Sequence, residues 1–153
     1  MDKKLAGQAL LSRMADLLDS DGINYTVFLK SYSCAAEGVS QIENIVKKLV
    51  GHDVVLGNVR DISLAQLMQD LCDCLGYVGD DGAGPGPSTL NLPEFSNLLR
   101  EVSSDITQVY ERSGEVKSFR FLEGHPAYPV FWEFAFLFLG NDGYQLIVGS
   151  SSD

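Results

Sequence analysis

The sequence predicts an α+β fold, with four helices packed on a mostly antiparallel sheet that ends in a C-terminal four-strand meander. Three observations carry this. First, Phe131-Trp132-Glu133-Phe134-Ala135-Phe136-Leu137-Phe138-Leu139 and Tyr144-Gln145-Leu146-Ile147-Val148 flank Gly140-Asn141-Asp142-Gly143. Gly, Asn and Asp tolerate positive φ, so the segment reads as a hairpin. Second, residues 106–112 and 116–122 flank Ser113-Gly114 and read as another hairpin, with Phe119 and Phe121 pointing one way and Ser118 and Arg120 the other. Third, apolar residues recur at helical spacing in four other places. On residues 131–139, Trp132, Phe134, Phe136 and Phe138 share one face, while Phe131, Ala135, Leu137 and Leu139 share the other. A strand apolar on both faces is covered on both, so it belongs in the middle of the sheet.

The helices follow in order. Leu10, Met14, Leu17 and Leu18 mark the first, over about 4–18, closed by Asp19-Ser20-Asp21-Gly22. Val39, Ile42, Ile45, Val46 and Leu49 mark the second, with Gly51 as its stop. Leu64, Leu67, Met68, Leu71 and Leu75 mark the third; Ser63 and Gln66 fit a capping box and Gly76 ends it. The fourth starts near Pro93, which suits a first helical turn, and shows Phe95, Leu98, Leu99 and Val102. Residues 25–29 form a strand candidate and 54–56 a weaker one. The polar tail 148–153 is expected to fray.

Size and composition set the frame. A chain of 153 residues suits one domain, 1–153, and buries roughly two-thirds of its unfolded surface. Residues 79–89, rich in Gly and Pro, read as a mobile loop within it. No run of about 20 uncharged apolar residues is present, so no membrane span is expected. Gln8, Ser12, Arg13 and Asp16 interrupt any signal-like segment. Cys34, Cys72 and Cys74 are odd in number and suit free thiols in a reducing cytoplasm.

Charge is uneven. Residues 1–50 carry six bases and six acids, whereas residues 51–153 carry five bases and fifteen acids, so the net −10 lies entirely there. Such an excess repels nucleic acid and anionic lipid and steers basic partners inward.

Chemistry is sparse. Cys72 and Cys74 point about 200° apart on a helix and cannot share a zinc ion. The Asp19-Ser20-Asp21-Gly22 stretch fails as a calcium loop, since Leu17 and Phe28 fall where the first ligand and the bidentate Glu belong. Residues 82–86 lack the Lys-Ser/Thr of a phosphate loop. No cofactor is therefore expected. His125 sits in a loop where a base could stand, with Cys34 or a serine as a conceivable nucleophile, but no nucleophile signature accompanies it. Glu133 interrupts an apolar face and needs a partner, for which Arg120 on a neighbouring strand is the candidate.

In general character, being small, acidic, α+β and without a catalytic signature, the chain resembles bacterial toxin-immunity proteins. The resemblance implies a non-catalytic inhibitor that covers the site of a basic toxin or effector. The acidic set Asp70, Asp73, Asp80, Asp81 and Glu94 is the candidate partner surface. Two alternatives stand beside it. One is an enzyme or small-ligand domain with a pocket at Arg120, His125 and Glu133. The other is an acidic adaptor or secretion chaperone, which would expose parts of the Trp132 to Phe138 stripe. Either a monomer or a homodimer fits.

Overall fold

The computed structural model describes residues 7–36, 38, 41–80, 82–86 and 88–153. The elements run α1 (Gln8–Asp19), β1 (Thr26–Ala35), α2 (Ile42–Val50), β2 (Val55–Asp61), α3 (Leu64–Leu75), a short 3-10 turn (Thr89–Asn91), α4 (Pro93–Arg112), β3 (Glu115–Glu123), β4 (Trp132–Leu139) and β5 (Gly143–Ser152). The five strands form one antiparallel sheet in the order β1-β5-β4-β3-β2. The α+β class holds, and β4 is the central strand.

Both faces of β4 are buried, as its sequence requires. Phe134, Phe136 and Phe138 pack with Val27, Leu29, Val116 and Ile147 beneath α1, α3 and α4. Ala135 and Leu137 pack on the other face with Phe119, Phe121, Leu146 and Val148 beneath Ile45 and Val46 of α2. Each such apolar side chain contributes about 1.5–3 kcal/mol when fully buried. The stripe an adaptor would expose is therefore core from Phe134 onward, and Trp132 is half-buried with its Nε1 donating to the Tyr25 hydroxyl at 2.8 Å. Phe131 leaves the alternation, because β4 starts after it. Its ring packs on Tyr25 and Tyr77 on the helix side.

The C-terminal meander has three strands, not four. Residues 106–112 are the last two turns of the twenty-residue α4. Ile106, Val109 and Tyr110 are β-formers by propensity, but Phe95, Leu98, Val102, Ile106 and Val109 continue one buried helical stripe. Packing of that stripe overrides local preference. The tail also departs from expectation. Residues 148–152 belong to β5, paired to β4 on one side and to β1 on the other, with Ser150 and Ser151 buried.

Local signals place most ends well. Ser63 Oγ caps the Gln66 N–H at 3.1 Å, while the Gln66 side chain turns to Asp70 at 2.8 Å, so only half of the capping box forms. Gly51 ends α2 at φ 83°. The β4–β5 turn closes with Gly140 N–H donating to Gly143 C=O at 3.0 Å, yet none of its four residues has positive φ. Gly143 is needed for another reason: a Cβ there would lie 2.9 Å from the Cys34 carbonyl oxygen. Val39 and the first residues of the expected first helix lie outside the described residues.

Two side chains of α1 bond the outer edge of β1. Asp19 accepts from Val27 N–H at 2.8 Å, and Gln8 both donates to Leu29 C=O at 3.0 Å and accepts from Ser31 N–H at 2.8 Å. The Gly/Pro segment lies against the α1–β1 connection. Ile23 and Gly84 exchange two backbone bonds of 2.9 Å, Asn24 Nδ2 donates to Gly82 C=O at 3.0 Å, and Gly84 to Gly86 are buried.

The core is tight at Gly149, where a Cβ would lie 2.4 Å from the Phe134 ring and 2.9 Å from a Leu29 methyl. Gly149→Ala is expected to lower unfolding free energy by about 1–3 kcal/mol, read by urea denaturation as a lower midpoint at unchanged slope.

Candidate functional site

Sheet geometry brings Arg120, Glu133 and His125 together. β3 pairs with β4 only as far as Ser118↔Phe136. Beyond that the strands part, and β3 continues against β2 alone. Arg120 Nη2 crosses the gap to Glu133 Oε2 at 3.3 Å, with the Arg side chain 61% exposed and the Glu 19%. The Cys74 thiol of α3 approaches the Glu133 carbonyl oxygen from the helix side, at 4.0 Å.

His125 is set by the loop before β4. Gly124, at φ 85°, approaches so closely that a Cβ would lie 2.3 Å from the Asp53 carbonyl oxygen, and its own carbonyl meets His52 Nε2 at 2.7 Å. The His125 ring stands edge-on to Phe121 and Phe28, at centroid distances of 5.1 and 6.3 Å. Its Nδ1 accepts from Ala127 N–H at 2.8 Å, which fixes the neutral tautomer with the proton on Nε2. That Nε2 is buried and has no hydrogen-bond partner. Burial lowers the His125 pKa; the nearby Glu133 charge and the Ala127 bond pull the other way without reversing it. Cys34, one of the conceivable nucleophiles, does not accompany the ring. Cys34 pairs with Tyr144 near the far end of β1, six residues from Phe28, about 20 Å along a strand.

The acidic set is only partly gathered. Asp70 and Asp73 sit on α3, each accepting from a Gln four residues earlier at 2.8 Å. Both charges, with that of Glu133, act on Cys74, whose thiol burial first and these acids second push up to about 12. Asp80 folds onto its own loop, accepting from Gly82 N–H at 2.8 Å and Ala83 N–H at 3.0 Å. Glu94 lies in the first turn of α4. No hydrogen bond or ion pair between described residues joins it to the α3 acids, and Asp81 lies outside the described residues.

Two features were not predicted. The α1, α3 and α4 sequences together hold eight acids and three bases, whereas α2 on the other face holds Glu43, Lys47 and Lys48. Of the two helix layers, the one formed by α1, α3 and α4 is therefore the acidic one. Second, apolar side chains are exposed at the end of the sheet where β1 and β4 begin: Val78 75%, Tyr128 76%, Ile23 53% and Val130 46%. Below them Tyr25, Tyr77 and Phe131 stack within about 6 Å of one another. A sequence clue existed in 76–78, where Tyr77 and Val78 follow the helix stop and precede the Gly-rich run.

No protein-family model and no curated protein matches the sequence. Among solved structures the chain is similar to citrus MAF1, at 12% identity and a TM-score of 0.55, over 94% of this chain and 97% of that one. At that identity the likeness is one of fold. No helix among the described residues is long and apolar enough to cross a membrane.

Two measurements follow. Because His125 is neutral in the fold and its pKa lies below the unfolded value of about 6.5, its contribution is complete above that pH and is lost as pH falls toward the folded pKa. The thermal midpoint of the wild type should drop as pH falls below about 6.5, and the His125 part of that drop should be missing from the His125→Phe curve and appear in the wild-type-minus-variant difference. For the thiols, a disulfide reagent at about pH 8 should modify exposed Cys72 first and Cys74 last, slower by at least about a hundredfold.

Proposed function

We propose that this chain is a non-catalytic binding protein of the immunity type, which occludes a basic protein partner with one end of its helix layer. The observation that carries the reading is the exposed Ile23, Val78, Tyr128 and Val130 set, which adjoins the acidic α3. The chain leaves α3 two residues past Asp73 and delivers Tyr77 and Val78 directly into this apolar end. An apolar centre beside a charged border is the anatomy of a protein-binding surface. Among the described residues, Asp70 and Asp73 accept hydrogen bonds from neutral Gln side chains on their own helix, so their charge is not neutralised there and can steer a cationic partner. Glu94 and Asp80 add to the field without forming part of one constellation.

A second reading rests on His125. A buried imidazole N–H without an acceptor, beside Glu133 and Arg120, suits a small ligand that brings an acceptor oxygen. Saturable shifts of the His125 ring resonances with a carboxylate or carbonyl compound would favour it.

Affinity capture from native lysate at low and high salt supplies the partner for the main test. The variant Asp70→Lys/Asp73→Lys should then slow association by at least about tenfold at low ionic strength and have much less effect at high salt, while Val78→Asp should speed dissociation. Stability should change by no more than about 0.5 kcal/mol, as checked by denaturation. Association rates and salt slopes that match the wild type in the charge-reversed variant would sink the proposal.

A further inference from the structure

At the opposite end of the sheet, where β4 turns into β5, an open strand edge adjoins a cleft. β1 is an outer strand, paired with β5 from Thr26↔Ser152 to Ala35↔Gly143 without a register shift. In an antiparallel ladder, the N–H and C=O of every second residue point to the same side. Val27 N–H, Leu29 C=O and Ser31 N–H point outward, to Asp19 and Gln8. Ser33 and Ala35 continue that alternation, and both are exposed. Between described residues, no hydrogen bond reaches Ser31 C=O, Ser33 N–H, Ser33 C=O or Ala35 N–H. The second half of the β1 edge thus keeps a row of outward donors and acceptors, the template that a further strand requires.

The cleft, of about 710 Å³, lies between the end of β1, the β4–β5 turn and the C-terminal end of α4. Ser33 and Ala35 line it on the edge side, while Val109 and Phe138 supply apolar wall. A strand added to β1 would place the residue opposite Ser33 on the face that Ser33 shares with this cleft. Strand addition works in this way: backbone bonds give affinity, and a pocket for an alternate side chain gives specificity.

We propose that the Ser31 to Ala35 edge takes up an extended peptide segment of another protein, antiparallel to β1, with one large apolar side chain seated in the cleft. A second copy of this chain fits poorly, because its own open edge would present Ser31, Ser33 or Ala35 to the cleft, and these are too small to occupy it. The other face adds a charge preference. Exposed Lys30 holds its ammonium 5.2 Å from the centre of the Tyr32 ring. The peptide residue opposite Tyr32 is diagonal to Lys30 and within reach of a long side chain, so an acid suits it. The edge shares no residue with the apolar end assigned to a basic partner, so either assignment can fail alone.

The test uses full-length protein and the peptides acetyl-Thr-Thr-X-Glu-Thr-amide, with Leu, Met, Phe or Ser at X, at millimolar concentration. Amide chemical shifts and hydrogen exchange are the readouts. At least one peptide with apolar X should shift Ser33, Ala35 and Val109 saturably and slow exchange at the Ser33 amide. The Ser peptide should bind at least about tenfold more weakly. Ser33→Pro removes only an outward N–H, which an edge strand tolerates, and should weaken binding at least about fivefold. Val78→Asp at the other end should leave it unchanged. If Ser33→Pro does not fold, methylation of the peptide nitrogen at X, which removes the donor to Ser33 C=O, decides on the wild type. Absence of saturable shifts at Ser33 and Ala35 with all three apolar peptides overturns the proposal, as does undiminished binding of the Ser or N-methyl peptide.

Discussion

The structure depends on β4 being apolar on both faces. Phe134, Phe136 and Phe138 on one side and Ala135 and Leu137 on the other cannot face water, so the sheet must be sandwiched. The larger aromatic face takes three helices, and the smaller aliphatic face takes α2, with Ile45 and Val46 at its centre. Everything else is arranged around that demand. Because α1, α3 and α4 are held together over one face, their outward residues merge into one acidic layer, which no single helix sequence displays. That citrus MAF1 shares the fold at 12% identity suits a layout set by burial pattern rather than by particular side chains.

What could be read from the chain was whatever depends on near neighbours. The β4–β5 hairpin, the bounds of α3 and the Ser63 cap are local, and each was legible. So was the Arg120–Glu133 pair, because an acid on an apolar strand must find a partner and few bases were available. Residues 106–112 misled because β-branched propensity and helical period conflict there, and tertiary packing beneath α4 decided it. The tail looked polar enough to fray because serines say nothing about being sandwiched between two strands. The cleft was not legible at all. Its walls come from residues 33–35, 109–113 and 138–145, which meet only after the sheet forms, and Gln145 reads in sequence as an ordinary solvent-facing position.

The two ends of the sheet differ in kind. Where β1 and β4 begin, aromatic rings stack and apolar side chains stand out in solvent. Where β4 turns back, small residues of β1 and the end of α4 leave a hollow with a polar floor. Near the start of β4, where β3 separates from it, the Cys74 thiol lies on the helix side of Glu133 and the His125 ring packs on Phe121 of the other face. Burial raises the first pKa and lowers the second, so both groups are uncharged.

The bonds from Gln8 and Asp19 to β1 have a consequence for how copies of this chain meet. A ten-residue outer strand with Val27 and Leu29 on its flank would otherwise offer a ready template for another strand. Here Val27 N–H, Leu29 C=O and Ser31 N–H are already occupied by side chains of the preceding helix. At the other margin, the register of β2 breaks between Gly57 and Arg60, with Asn58 at φ 55°, so that rim is bent as well. The first half of the β1 edge is thereby covered and the β2 rim bent, so detachment of α1 would bare the backbone groups of β1 to another strand.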